Sequence, residues 1–264
     1  MKILVTVKEV AEVEDDFEIS GTEISETYLE YDLNEWDDYA IEEAVQLQEE
    51  GVADEVVAVT IGPERSEETI RMALAKGADR AVRVWDDAFE DVDLLDVDAK
   101  AQLLGAVISD EDPDLVLTGV QANDDSFGAT GVALAQHLGF EWAAVVNALD
   151  LDTERRVAHV RRELEGGVEE LTDVEIPAVL TIQTGINDPR YASLRGIRQA
   201  QQKEIAPKTL GDLSLDPNVL DSDLALTEMY EPESESDAQF IEGDPAEQAT
   251  QLADTLRELG VISE

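Results

Sequence analysis

Over its first 140 residues the chain alternates short β-branched runs with amphipathic stretches of helical period, and few architectures accept that alternation. A strand covered on both faces is apolar on both faces, whereas a strand with one wet face alternates. Ile3 to Val7, Glu55 to Ile61, Ala81 to Val84 and Leu115 to Thr118 are of the first kind and predict the strands of one covered parallel sheet. Between them the spacing predicts helices. From Asp37 to Glu50, Ile41, Ala44 and Val45 recur at steps of three and four, with Glu42, Glu43, Glu49 and Glu50 expected on the outer face. Ser66 offers a capping hydroxyl for the next helix and Gly77 a C-cap, and a third helix is expected from about Asp96 to Ser109. The fold class is therefore α/β, a mostly parallel sheet with helices on both faces.

Beyond Gly139 the pattern changes to antiparallel strands: Val157 to Leu164 and Val168 to Val174 are joined by Glu165-Gly166-Gly167, whose glycines permit the positive φ of a tight hairpin. Ala178 to Ile182 reads as another buried strand. From Pro207 the chain turns acidic and Pro-punctuated, and residues 232–237 are expected to be its least structured part. Asp244-Pro245 then caps a last helix, Ala246 to Leu259, with Leu252, Leu256 and Leu259 on one face. The expected organisation is an α/β domain over 1–206 and an acidic arm with a terminal helix over 207–264.

A net charge of −45, from 63 acidic and 18 basic residues, needs a physical setting. Concentrated salt supplies one, because at 1 M the Debye length falls to ~3 Å and self-repulsion is screened. We expect a halophilic protein that loses stability at low ionic strength. The same charge argues against nucleic acid as a partner, since that binding displaces counterions with Lys and Arg. No apolar run approaches the roughly 20 residues that span a bilayer. The N-terminus enters its first strand without a basic leader, so a cytoplasmic location is expected. Absence of cysteine removes disulfides, thiolate catalysis and Cys-based zinc sites.

The segment richest in possible chemistry is Gly119-Val120-Gln121-Ala122-Asn123-Asp124-Asp125-Ser126-Phe127-Gly128-Ala129-Thr130-Gly131, between a buried strand and the helix Val132 to Leu138. Ligands of open parallel sheets sit beyond the carboxyl ends of the strands, where helix N-termini offer free amides to phosphate. Ser126, Thr130 and the amides near Gly128 and Gly131 are suitable donors. Asp124 and Asp125 fit an anion poorly, and are expected to cap amides or face solvent. No GxxxxGK[ST] loop, GxSxG elbow or HExxH helix occurs, His137 and His159 stand apart, and no catalytic residues are assigned. A second segment, from Asn187 to Ala200, begins a concentration of positive charge: Arg190, Arg195, Arg198, Lys203 and Lys208. Such clustering in an acidic chain suggests a contact surface, with Tyr191 and Leu194 as apolar anchors; a loop packed on its own core is the alternative.

Several segments in order resemble the electron transfer flavoprotein beta subunit family. They are Leu4-Val5-Thr6-Val7-Lys8; Asn34 with Asp37 and Ala40-Ile41-Glu42-Glu43-Ala44; Gly62-Pro63; Ala73 to Arg80; Gln121-Ala122 with Asp124-Asp125 and Thr130-Gly131; Glu165-Gly166-Gly167; Ile176-Pro177-Ala178-Val179; and Pro189-Arg190-Tyr191-Ala192-Ser193-Leu194. The resemblance implies an adenine-nucleotide hydrolase-like fold, AMP as a structural ligand, and FAD held mainly by an alpha subunit. It places AMP contacts at Thr6, at Asn34, Glu35, Trp36 and Asp37, at Ile61, and along Gly119 to Thr130, with Trp36 near the flavin. Leu194, with Tyr191, Arg195 and Ile197, matches the loop by which the family docks on flavin-containing dehydrogenases such as acyl-CoA dehydrogenase, before electrons pass to a quinone oxidoreductase. Glu35 stands where the family usually has proline, Asn123 where an apolar residue is common, and Gly128-Ala129 where longer polar side chains occur. A bifurcating relative with a second FAD and NAD, and a stand-alone adenine-nucleotide sensor or hydrolase, remain alternatives.

Overall fold

A computed structural model describes residues 1–92, 94–232, 238 and 240–262. In chain order these form β1 (Lys2–Thr6), β2 (Glu9–Val13), β3 (Ile19–Ser20), β4 (Glu23–Ile24), β5 (Leu29–Leu33), α1 (Glu35–Glu49), β6 (Glu55–Ile61), α2 (Glu67–Lys76) and β7 (Arg80–Val84). Then come α3 (Val97–Glu111), β8 (Leu115–Gly119), α4 (Thr130–Leu138), β9 (Glu141–Asp152), β10 (Val157–Leu164), β11 (Val168–Glu175), β12 (Ala178–Ile182), α5 (Leu194–Ala200), β13 (Ile205–Lys208) and α6 (Pro245–Glu258). The chain divides into two compact units, Met1–Met229 and Tyr230–Glu264.

In the first unit nine strands form one sheet in the order β11-β10-β9-β12-β8-β1-β6-β7-β13. The seven from β9 to β13 pair in parallel, and β10 and β11 add an antiparallel hairpin at one edge. The period of two sorts each strand between two cores. From β1, Ile3 and Val5 join Ile41, Ala44 and Val45 of α1 and Ile70, Ala73 and Leu74 of α2. Leu4 points the other way, to Leu103, Leu104 and Ile108 of α3 and Leu134 of α4. Both faces are thus covered by helices, which is why the middle residues of β1, such as Ile3, Leu4 and Val5, are apolar on both sides. Leu210, Leu213 and Leu220 are buried in the second core, so the compact unit continues past β13.

Two local expectations are corrected. Ser66 precedes α2, but its side chain makes no capping bond; the hydroxyl instead donates to Glu9 Oε1 at 3.1 Å. Glu42 and Glu43 do not lie on a solvated face of α1: they are buried. Arg190 Nε binds Glu42 Oε2 at 2.8 Å and Asn187 Nδ2 donates to Glu43 Oε2 at 3.0 Å, so the chain near residue 190 covers that turn. Glu43 is held above the ordinary carboxyl range, chiefly by its burial. In the second unit α6 opens with a complete capping box, Asp244 accepting from Glu247 N and Glu247 from Asp244 N. The segment expected to be least structured lies, over 233–237, outside the described residues.

Candidate functional site

From β1 the sheet is built outward through β6 and β7 on one side and β8 and β12 on the other, so its direction of winding reverses between β1 and β8. That reversal leaves a crevice at the carboxyl ends of the strands. Thr6 ends β1, Ile61 ends β6, Gly119 ends β8 and Trp85 follows β7, and all four line one cavity of about 650 Å³. Asn34, Asp37, Val120, Gln121, Ala122, Asp124, Asp125, Gly128, Ala129 and Thr130 line it as well. The remaining expected positions, Glu35, Trp36, Asn123, Ser126 and Phe127, lie beside the cavity rather than on its wall. Trp36 Nε1 donates to Gln183 Oε1 at 3.0 Å, the Ser126 hydroxyl donates to the Ala122 carbonyl at 3.4 Å, and Glu35, Asn123 and Phe127 are exposed.

Asp37 is the joint of this arrangement. From the first turn of α1 its Oδ2 accepts the amide of Lys8 at 2.8 Å and its Oδ1 the amide of Gly119 at 2.9 Å, so one carboxylate ties together the tips of β1 and β8. Burial pushes its carboxyl up to about 7, against the pull of those two amides and of Lys8. Asn34 adds a second tie: Nδ2 donates to the Gln121 carbonyl at 2.9 Å and Oδ1 accepts from the Asn123 amide at 3.2 Å. Gly119 is required by this closeness. A Cβ there would stand 2.6 Å from both Asp37 Oδ1 and Trp36 Cβ. Gly119→Ala is expected to cost roughly 1–3 kcal/mol by overpacking. Gly211→Ala, where the nearest atom would be 3.7 Å away, is expected to be near neutral in the same denaturant titration.

The two aspartates that fit an anion poorly have partners far away in sequence. Lys8 Nζ binds Asp124 at 2.5 Å and Asp125 at 2.9 Å, and Lys100 Nζ binds Asp125 at 2.6 Å. They also cap amides, Asp124 that of Asp125 and Asp125 that of Phe127. Burial works to raise the Asp125 carboxyl, but Lys100 and Lys8 hold it down at about 2. Two ammonium groups and two carboxylates therefore meet at this corner with no net charge, and an anionic ligand there meets no excess of negative charge. Next to it α4 begins at Thr130 after Ala129, whose side chain cannot cap, so its first amides are open to a phosphate. Another part of the cavity wall is apolar. Trp85 and Phe89 stack with centroids 4.9 Å apart, beside Val92, Leu95 and Leu104. An aromatic stretch of wall together with open helix amides suits a ligand that carries both a flat group and an anion. Sequence reasoning missed Lys8, Lys100, Trp85 and Phe89 as lining residues; an aromatic just past a parallel strand end was the available signal.

The second segment forms a separate feature. Asn187 and Arg190 anchor it on α1, Arg190 reaching Glu49 at 2.6 Å as well as Glu42. Beyond that anchor Tyr191, just before α5, is 97% exposed, and Leu194 and Ile197 on α5 are 79% and 42% exposed. His159 Nδ1 pairs with Asp173 at 2.6 Å on the hairpin, which raises its pKa, and His137 lies against Gly105. Among the described residues no group of three or more acidic or histidine side chains could hold a metal, and no helix is long and apolar enough to cross a membrane.

The family model of the electron transfer flavoprotein domain matches residues 22–212. The electron transfer flavoprotein subunit beta of Methylophilus methylotrophus is 46% identical over 264 residues, covering 98% of each chain. The mitochondrial subunit beta of Oryza sativa subsp. japonica is 39% identical over 234 residues, 88% of this chain and 90% of its own. That of Bacillus subtilis is 34% identical over 257 residues, 97% of this chain and 98% of its own.

Proposed function

The chain belongs to the electron transfer flavoprotein family as a beta subunit, and on that premise we propose that it binds AMP as a structural ligand in the strand-end cavity. The observation that carries the proposal is the single cavity shared by Thr6, Asn34, Asp37, Ile61 and the Gly119–Thr130 loop, polar at the α4 N-terminus and aromatic at Trp85 and Phe89. In this assignment the amides of Thr130 and Gly131, with Lys8 and Lys100, face the phosphate. The base lies towards Trp85, and Gly119 keeps the wall thin. Glu35, Trp36, Asn123, Ser126 and Phe127 belong to the same site from its margin.

The partner in this proposal is an alpha subunit that holds most of the FAD, and the flavin supplies one-electron chemistry while this chain contributes shape and contacts. Tyr191, Leu194, Arg195 and Ile197 dock on flavin dehydrogenases, and a quinone oxidoreductase receives the electrons. The chain needs no catalytic residues of its own. All residues of the cavity precede 207, so nucleotide binding belongs to the first compact unit, Met1–Met229. The test is co-expression with the alpha chain, denaturation of the purified heterodimer and chromatography of what it releases. One FAD and one AMP per heterodimer is expected. Two FAD, or no nucleotide beyond one FAD, overturns the assignment.

A further inference from the structure

In a chain with 63 carboxylate side chains and 18 cationic ones, a lysine or arginine has a carboxylate within reach almost anywhere. All but two of these cations have a partner within the chain, either a carboxylate or, for Arg71 and Lys203, backbone carbonyls. Among the described residues the exceptions are Arg195 and Arg198. They stand three residues apart on α5, a spacing that puts both on one side of the helix. Both are exposed, and Leu194, an exposed apolar side chain in the helix's first turn, lies beside them.

Local geometry keeps them from finding a partner in their own chain. A Cβ on Gly196 would collide with the Ala75 carbonyl, so α5 lies directly on the backbone of α2. Arg71 Nη1 donates to the carbonyls of Ala200 at 2.6 Å and Lys203 at 2.7 Å, which fixes the far end. Arg190, clamped to Glu42 and Glu49, fixes the near end. The helix is thus held from behind, and its outer side presents two guanidinium groups together with an apolar anchor. With Gln199 and Gln202 they border a shallow concavity of about 440 Å³.

We propose that Arg195 and Arg198 grip carboxylates on the rim of the apolar pocket that receives Leu194, so that the partner dehydrogenase is recognised by an acidic rim as well as by an apolar floor. The inference rests on the docking role proposed above. Guanidinium groups favour this use because their fixed fork of donors matches a carboxylate in two hydrogen bonds. A nucleic acid or an anionic membrane is disfavoured as the occupant because the net charge of −45 repels an extended anion. A protein pocket brings its carboxylates to this one turn alone.

The heterodimer with its alpha subunit is assayed against the flavin dehydrogenase from which the wild type accepts electrons, with the double variant Arg195→Glu/Arg198→Glu. KM for the heterodimer is expected to rise roughly tenfold or more with kcat unchanged, as for charge reversal at a close interfacial pair. FAD content and reduction by dithionite are expected to stay as in the wild type. Arg195→Lys/Arg198→Lys is expected to recover most of the affinity. Arg155→Glu, which alters a 78% exposed arginine elsewhere, is expected to leave KM unchanged. Should Leu194→Ala raise KM while the double reversal does not, the grip is overturned and the docking role stands. If neither raises KM, both fall. An equal rise in Arg155→Glu also overturns the grip, since a diffuse charge effect then accounts for it.

Discussion

Asp37→Ala is expected to destabilise the chain by roughly 2–6 kcal/mol and to leave the heterodimer without its adenylate. Two backbone amides, those of Lys8 and Gly119, lose the carboxylate that accepts from them, and each donor left unsatisfied costs about 1–3 kcal/mol. Those amides belong to the tips of β1 and β8, where the winding of the sheet reverses, so the same change opens the wall of the cavity. Loss of stability in urea without loss of AMP would show that the tie matters to the fold alone. The companion variant Asp37→Asn cannot titrate, although its amide nitrogen sets a donor against one of the two backbone N–H groups. Because burial raises the folded carboxyl to about 7 from an ordinary value of 3.8, the folded chain holds this proton where the unfolded chain has released it. Its stabilising contribution is full below pH ~4 and is lost as pH climbs to about 7. The difference in stability between wild type and Asp37→Asn is therefore expected to shift against the wild type from pH 4 to pH 7. A constant difference over that range refutes the titration.

Asp37 also marks how far the sequence reaches. Local pattern marked it only as an acidic residue at the head of a helix, and the family resemblance alone named it for the site; the strand ends beside it are what any doubly covered sheet brings together. The strands β1, β6, β8 and β12 were legible for the same reason: coverage on both faces forces continuous apolar runs. β9 was not. Val145 has a positive φ, and the register with β12 shifts between Leu180 and Ile182, so its periodicity is broken in the middle. β13 was hidden by Pro207, which an edge strand tolerates and a central one does not. β2 and β5 are five residues long, carry two acidic residues each and pair only with each other, so neither offers the continuous apolar run that marked the central strands. Asp124 and Asp125 cap amides as expected, but their lysine partners were out of reach for another reason. Lys8 lies 116 residues from Asp124, and no local pattern encodes a charge partner at that distance. Long-range pairing also explains Glu42 and Glu43, whose helical position suggested solvent until a segment nearly 150 residues later covered them.

Raising KCl from 0.1 M to 2 M is expected to increase the melting temperature by about 10 °C or more, since ~1 kcal/mol moves the midpoint by about 2–4 °C in a chain of this size. Two opposed effects decide the sign. Salt weakens the attraction in the ion pairs, but exposed pairs contribute only about 0–1 kcal/mol each. The pairs that matter most are partly sheltered, such as Lys76 with Asp38 and Lys100 with Asp125, whose side chains are 11% and 23%, and 15% and 16% exposed. Those are screened less. Salt also weakens repulsion, and here the numbers are unequal: 63 acidic groups face 18 cations, so most carboxylates have only like charges for neighbours. Two such charges 10 Å apart repel by about 0.4 kcal/mol in water before screening, and a few dozen pairs at that range amount to several kcal/mol. The Debye length falls from ~10 Å to ~3 Å between 0.1 M and 1 M, which removes most of that term. Chloride is the appropriate anion, because sulfate stabilises folded chains in general by exclusion from their surface. A midpoint that stays level or falls as KCl rises means that the paired charges outweigh the excess, and the halophilic setting is then wrong.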